Sequence, residues 1–131
     1  MKQALFTVGL KVRDYECDMQ GIVNNAVYQN YLETARHEFL LSRGVDFADL
    51  TKIGIIVIVT RAELDYKKPL RSGDRFDVTV AAEQVSRLKI AFKQTIRLQE
   101  NSELIMEAII YAAALKDFKK PFFPDELKAL L

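Results

Sequence analysis

The chain has 131 residues, half of them hydrophobic, with 19 lysines and arginines against 18 aspartates and glutamates and a net charge of +1. That length and apolar content suit one domain, residues 1–131, with a real core, and a near-neutral charge gives no bulk attraction to nucleic acid or to a membrane surface. The single cysteine, Cys17, excludes an intrachain disulfide and fits a reducing compartment, while no apolar run nears the ~20 residues of a membrane-spanning helix.

Phe6, Val8, Leu10 and Val12 alternate with Thr7, Gly9, Lys11 and Arg13, the period of a half-buried strand. Lys11 interrupts this stretch early, so it lacks the pattern of a signal peptide, and the chain is expected in the cytoplasm. An acidic loop then ends at Asp18. Gly21 and two small apolar residues, Ile22 and Val23, follow, and Asn24 and Asn25 open an amphipathic helix. Short asparagine side chains suit the N-cap, where they can accept from the free N–H groups of the first turn. Tyr28, Leu32, Ala35 and Phe39 fall at i, i+4, i+7 and i+11, with Tyr31 beside them, which makes one buried stripe. Gln29, Asn30, Glu33, Arg36 and His37 cover the other faces. The helix is expected to end near Ser42-Arg43-Gly44, with Gly44 as the residue after the C-cap. Residues 46–50 read as a further helical turn capped by Asp46.

Ile55-Ile56-Val57-Ile58-Val59 is β-branched throughout and predicts a strand with little solvent exposure. It continues through Tyr66, where Arg61, Glu63 and Asp65 alternate with Ala62, Leu64 and Tyr66. Pro69 and Ser72-Gly73-Asp74 end it in a turn. Phe76, Val78, Val80 and Ala82 make a third strand. Ile90, Phe92, Ile96 and Leu98 make a fourth, with Gln94 as the one break in its pattern. Glu100-Asn101-Ser102 is a hairpin signal. Residues 104–115 predict a fifth strand, with helix as the competitor because alanine and isoleucine dominate. Met106, Ala108, Ile110, Ala112 and Ala114 would share one side, small enough for a helix to pack closely. The tail holds Pro121 and Pro124 before a short capped helix at 125–131. One strand, a long helix and four strands with short connections predict an α+β fold, an antiparallel sheet with the helix across its concave face. Such a sheet leaves an edge and the apolar stretch 55–59 uncovered, so a homo-oligomer is expected, a dimer or a homotetramer built from dimers.

The chemistry concentrates at Asp18, a carboxylate a few residues upstream of an exposed helix N-terminus. Such a terminus offers unpaired N–H groups and partial positive charge, suited to an oxygen that gains negative charge during reaction. An aspartate before a turn glycine also commonly bonds its own loop backbone. Gly21 serves conformation or the close approach of a substrate to backbone. Cys17 reads as a small buried thiol. His37, the only histidine, reads as a surface residue paired with Glu33 at i, i+4, and Glu33 with Arg36 as a structural ion pair. One histidine and one cysteine make a zinc site unexpected. Arg87, Lys89 and Lys93 mark a solvated strand face or a contact for phosphates, and Lys67, Lys68 and Arg71 are equally available in another turn.

The run Asp18-Met19-Gln20-Gly21-Ile22-Val23-Asn24-Asn25-Ala26-Val27-Tyr28, followed by Tyr31-Leu32-Glu33 and Ala35-Arg36, resembles the signature of the hot-dog-fold acyl-CoA thioesterases, nearest to the 4-hydroxybenzoyl-CoA thioesterase branch. Tyr66, Pro69-Leu70 and Gly73-Asp74 resemble that family's second turn. The tail from Pro121 through Pro124-Asp125-Glu126-Leu127 resembles its C-terminal ends. The resemblance implies a five-stranded antiparallel sheet wrapped around one long central helix, hydrolysis of acyl-CoA thioesters, no metal, and no cofactor beyond the coenzyme A of the substrate. It implies a site at a dimer interface. Asp18 falls on the family's catalytic aspartate, a general base toward water or a direct nucleophile. The backbone N–H of Asn25 falls where the family polarises the thioester carbonyl. Some members carry a histidine at the position of Asn25, and others two asparagines as here. Gly21, Val23, Asn24 and Tyr28 would line the bound substrate, with Arg87 and Lys89 at the CoA phosphates. An acyl carrier protein (ACP) thioesterase and a non-catalytic acyl-thioester binder share the motif.

Overall fold

The structure, a computed structural model, describes residues 5–131. Strand β1 (Phe6–Lys11) is followed by a 3-10 turn (Asp14–Glu16), helix α1 (Asn25–Ser42) and helix α2 (Phe47–Lys52). Strands β2 (Ile55–Tyr66), β3 (Arg75–Gln84), β4 (Lys89–Leu98) and β5 (Leu104–Lys116) come next, then a short β6 (Lys120–Phe122) and helix α3 (Asp125–Lys128). The sheet runs β1-β3-β4-β5-β2, antiparallel throughout, and β6 adds to the end of β5. The α+β architecture follows the hydrophobic periods, and residues 104–115 are strand.

Helix α1 lies on the sheet through the expected stripe. Tyr28, Tyr31, Leu32, Ala35, Phe39 and Leu40 are buried in one core with Phe76, Val78, Val80, Ile90, Phe92, Ile96, Met106 and Ile110. Ala35, Ala112 and Ala114 are also buried there, and their small side chains let helix and sheet approach. Asp46 caps α2 by accepting the Ala48 N–H at 2.7 Å, and Gly44 turns the chain out of α1 at φ +74°. Beyond Pro124, α3 has no side-chain cap.

Four expectations need correction. The apolar stretch of β2 is not shielded: Ile58 is 40% and Val59 54% exposed, because β2 is the sheet edge. Its change of pattern is a bulge. The register shifts between Val59 and Arg61, so the inward side passes from Val57 and Val59 to Ala62 and Leu64. Gln94 does not break β4. It keeps register with Val80 and Ala108 and is buried because both ends of its amide are satisfied: its Oε1 accepts from Arg36 Nη1 at 3.0 Å and its Nε2 donates to the Leu32 C=O at 3.0 Å. Arg36 is therefore committed to Gln94 instead of Glu33, while Glu33 lies 3.6 Å from His37, as the i, i+4 spacing predicts. Burial pulls the Arg36 guanidinium below its usual range, with Glu33 acting weakly in the opposite direction.

Candidate active site

The segment between the 3-10 turn and α1 is a small hairpin. The Asn24 N–H donates to Glu16 C=O at 3.0 Å, Cys17 pairs with Val23, and the Asp18 N–H donates to Ile22 C=O at 2.8 Å. The Gly21 N–H closes the turn on Asp18 C=O at 3.0 Å, with Gly21 at φ +80°. Only glycine takes that conformation without a steric cost, and a left-handed residue after a tight turn is a common way to close a short hairpin.

Asp18 is exposed and sits at the start of that turn. Its Oδ1 accepts the Gln20 N–H at 2.8 Å and, more distantly, the Ile22 N–H at 3.4 Å. The loop-bonding role of such an aspartate is thus realised by one oxygen. Oδ2 takes no hydrogen bond among the described residues. Three residues after the hairpin's return, α1 begins. Asn24 stands at the N-cap, but its side chain makes no capping bond; its C=O accepts the Val27 N–H at 3.0 Å. The N–H groups of Asn25 and Ala26 have no acceptor among the described residues. An oriented carboxylate and a helix start with open donors therefore share one short segment.

This segment is tied to the turn after β2. The Val23 N–H donates to Leu70 C=O at 2.9 Å, and Ile22 pairs with Arg71. The Tyr28 hydroxyl accepts the Leu70 N–H at 2.9 Å, and Tyr66 donates to Asn25 C=O at 3.2 Å. The two tyrosine rings meet edge-on at 5.4 Å. Ser72 Oγ donates to Asp14 Oδ1. Tyr28 and Val23 are buried and serve this framework, whereas Gly21 and Asn24 are exposed beside Asp18. Burial pushes the Tyr28 phenol above its usual range, and burial with the bond to Glu16 does the same for Tyr31. Partial burial and then the carboxylates of Asp14, Asp18 and Glu16 push the Cys17 thiol up, which disfavours a thiolate nucleophile.

Arg87 lies in the β3–β4 connection and Lys89 begins β4, at the sheet end where Ile90 pairs with Ala112. Asn25, Tyr66 and Leu70 lie at the opposite end, where Tyr66 pairs with Met106. Six residues of β5 separate the two, about 20 Å. One chain does not bring these cations to Asp18. Lys93 and Lys68 are engaged, by Glu83 at 2.9 Å and by Glu103 at 3.2 Å. Among the described residues, the cavities of about 460, 450 and 200 Å³ are lined by neither Asp18 nor Asn25. No helix among the described residues is long and apolar enough to cross a membrane.

Residues 12–131 match the family described as the thioesterase-like superfamily. The acyl-acyl carrier protein thioesterase ATL3, chloroplastic, of Arabidopsis thaliana is 40% identical over 114 residues, which cover 87% of this chain and 60% of that protein. The chain therefore spans about three-fifths of that relative's length. The structure of Slr0204, a 1,4-dihydroxy-2-naphthoyl-CoA thioesterase from Synechocystis, matches with a TM-score of 0.90 over 97% of this chain and 96% of that one; at 21% identity the likeness shows the fold alone. The DHNA-CoA thioesterase of Staphylococcus aureus matches with a TM-score of 0.86 at 27% identity, over 95% of this chain and 87% of that one. The architecture of α1 cradled by a curled antiparallel sheet is the hot-dog fold.

Proposed function

This chain belongs to the thioesterase-like superfamily, and we propose that it is a single-domain enzyme that hydrolyses an acyl-CoA thioester to a free acid and CoA. The observation that carries the reading is the Asp18 hairpin. It holds one carboxylate oxygen against the Gln20 N–H, leaves Oδ2 unbonded, and runs directly into the open donors of α1. A reacting carbonyl seated there would have its oxygen on the Asn25 N–H, where developing charge is stabilised by the helix terminus. Asp18 either draws the proton from an attacking water or attacks the carbonyl itself. In both routes a C–O bond forms, the C–S bond breaks and CoA leaves as the thiolate. Direct attack leaves an acyl-aspartyl anhydride that water then hydrolyses to free acid and Asp18, and borohydride reduction of the enzyme during turnover distinguishes the routes, because only direct attack forms that anhydride. Gly21 and Asn24 flank the substrate, Val23 and Tyr28 back that wall, and no metal or cofactor beyond the substrate's own CoA enters.

The site is completed by a second copy of the chain. Among the described residues the outer edge of β2 has no partner strand over its 12 residues and exposes Ile58 and Val59, and pairing with a copy of itself would cover both. The assembly is a dimer or a tetramer of dimers, and the lone Cys17 is consistent with the cytoplasm. A second reading is hydrolysis of acyl-ACP, favoured by the name and 40% identity of the Arabidopsis relative. Thiol release from short, long and aromatic acyl-CoAs, set beside matched acyl-ACPs, tests both. Preference for acyl-CoA supports the first reading, preference for acyl-ACP the second, and release from neither refutes the hydrolase assignment.

A further inference from the structure

The net charge of +1 conceals a local excess of cations at the sheet end far from Asp18. Residues 52–54 and 116–120 carry four lysines, Lys52, Lys116, Lys119 and Lys120, against one carboxylate, Asp117. The two stretches form one tip. The Asp117 N–H donates to Gly54 C=O at 2.7 Å, Lys116 Nζ donates to Ile53 C=O, and Ile55 pairs with Lys116 in the β2–β5 ladder. Gly54 permits this approach, because a Cβ there would collide with the Asp117 carboxylate. Lys52 lies 3.9 Å from Asp49, while Lys116, Lys119 and Lys120 make no ion pair among the described residues.

The turn from β5 into β6 is locally unfavourable in three ways. Phe118 has φ +59° beside Asp117 at φ +52°, a conformation in which glycine or asparagine is usual and a bulky side chain is an outlier. The ring gains no burial in exchange: Phe118 is 76% exposed, and Ile53 in the adjoining turn is 54% exposed. Lys116 and Lys120 are direct cross-strand partners in the β5–β6 ladder, and like charges so placed destabilise a sheet. A backbone outlier, an opposed pair of cations and two exposed apolar side chains gathered in one place point to something the tip meets. A polyanion without an apolar layer would satisfy the lysines and leave Ile53 and Phe118 in water. An anionic lipid surface offers negative charge with an apolar layer beneath it. We propose that this tip docks on an anionic bilayer surface, with Phe118 and Ile53 entering the headgroup layer and the lysines meeting lipid phosphates. Contact of this kind is peripheral and needs no spanning segment. It is measured without turnover, so it does not rest on the thioesterase reading.

Co-sedimentation with two kinds of vesicle tests the proposal, one of equal parts phosphatidylglycerol and phosphatidylcholine, the other of phosphatidylcholine alone. The wild-type chain is expected on the mixed vesicles and not on the neutral ones, with binding that weakens as salt rises. A variant carrying both Lys119→Gln and Lys120→Gln loses partitioning about fivefold per charge removed. Phe118→Asn loses it about tenfold, the scale of a partly buried aromatic ring. Its thermal midpoint holds or rises, because asparagine accepts the left-handed backbone more readily. Thiol release from a short-chain, water-soluble acyl-CoA stays level in both variants, and saturating CoA leaves the vesicle-bound fraction unchanged. Absence of binding to the mixed vesicles, equal binding to both kinds, or displacement by CoA overturns the proposal. So does a loss in the lysine variant that Phe118→Asn does not share, since that describes adsorption of charge alone. A chain that releases no thiol, yet binds the mixed vesicles through Phe118, would refute the hydrolase and leave the docking surface standing.

Discussion

The buried hydroxyl of Tyr28 accepts the backbone N–H of Leu70 at 2.9 Å, joining the first turn of α1 to the turn that follows β2. Tyr66 closes the same junction from the other side by donating to Asn25 C=O. The open donors at the start of α1 are thereby held against the end of β2 and the turn after it by tyrosines that themselves take no part in the proposed chemistry. Positioning of this kind matters because a displacement of about 1 Å at a reacting centre can cost about 10²-fold in rate.

Tyr28→Phe keeps the ring and removes the acceptor. It leaves the Leu70 N–H buried and unpaired, a defect worth about 1–3 kcal/mol. Urea denaturation should give a lowered midpoint with an unchanged m-value, and an unaltered midpoint would mean that the N–H is satisfied otherwise.

Gln94→Leu tests the buried amide beneath α1. Arg36 keeps its charge and loses its neutral partner, and a hydrogen bond to a charged group contributes about 1.5–3 kcal/mol. Adding Arg36→Met should recover part of that loss, because the stranded charge is then gone. A double-mutant cycle reads the coupling directly; additive losses would contradict the pairing.

Much of the fold was legible in the chain itself. The α1 stripe, the Asp46 cap, Gly44 and four alternating strands each follow from local pattern, because burial imposes a period of 3.6 on a helix and of 2 on a strand. What could not be read was non-local. The bulge at Thr60 looks in sequence like a run apolar on both faces that turns polar on one. Gln94 looks like a defect until Arg36 is placed beside it. Lys11 faces Arg75 across the ladder only because β1 lies next to β3, which no local period encodes. The motif singles out Asp18 as a candidate, and its division into one bonded and one unbonded oxygen needed the turn geometry. Asn24 was read as a side-chain cap, and its backbone does that work instead.

Gly21→Ala probes the turn alone. An added Cβ would meet nothing within 4 Å, so crowding does not enter. The cost is the left-handed conformation at φ +80°, about 1–2 kcal/mol. Stability should fall by that amount and turnover with it, as the Asp18 carboxylate loses its frame. Full activity in a destabilised variant would separate the turn from the chemistry.

Cys17 gives the pH test. Burial and the neighbouring carboxylates raise its pKa, so at any given pH it holds less thiolate than free cysteine. Alkylation by iodoacetamide should therefore be slower than for a free thiol at neutral pH, and its rise with pH should be displaced to the alkaline side. A rate at or above that of free cysteine near neutrality would show that the thiol is not so shielded.

Asp18→Asn bears most directly on the proposed reaction. The asparagine Oδ1 can still accept the Gln20 N–H, so the hairpin and the denaturation midpoint should be retained while the basic oxygen is lost. Thiol release from acyl-CoA under saturating substrate should fall about 10²–10⁴-fold, the contribution of a positioned acid–base group. A folded Asp18→Asn enzyme that releases CoA at the wild-type rate would contradict the account.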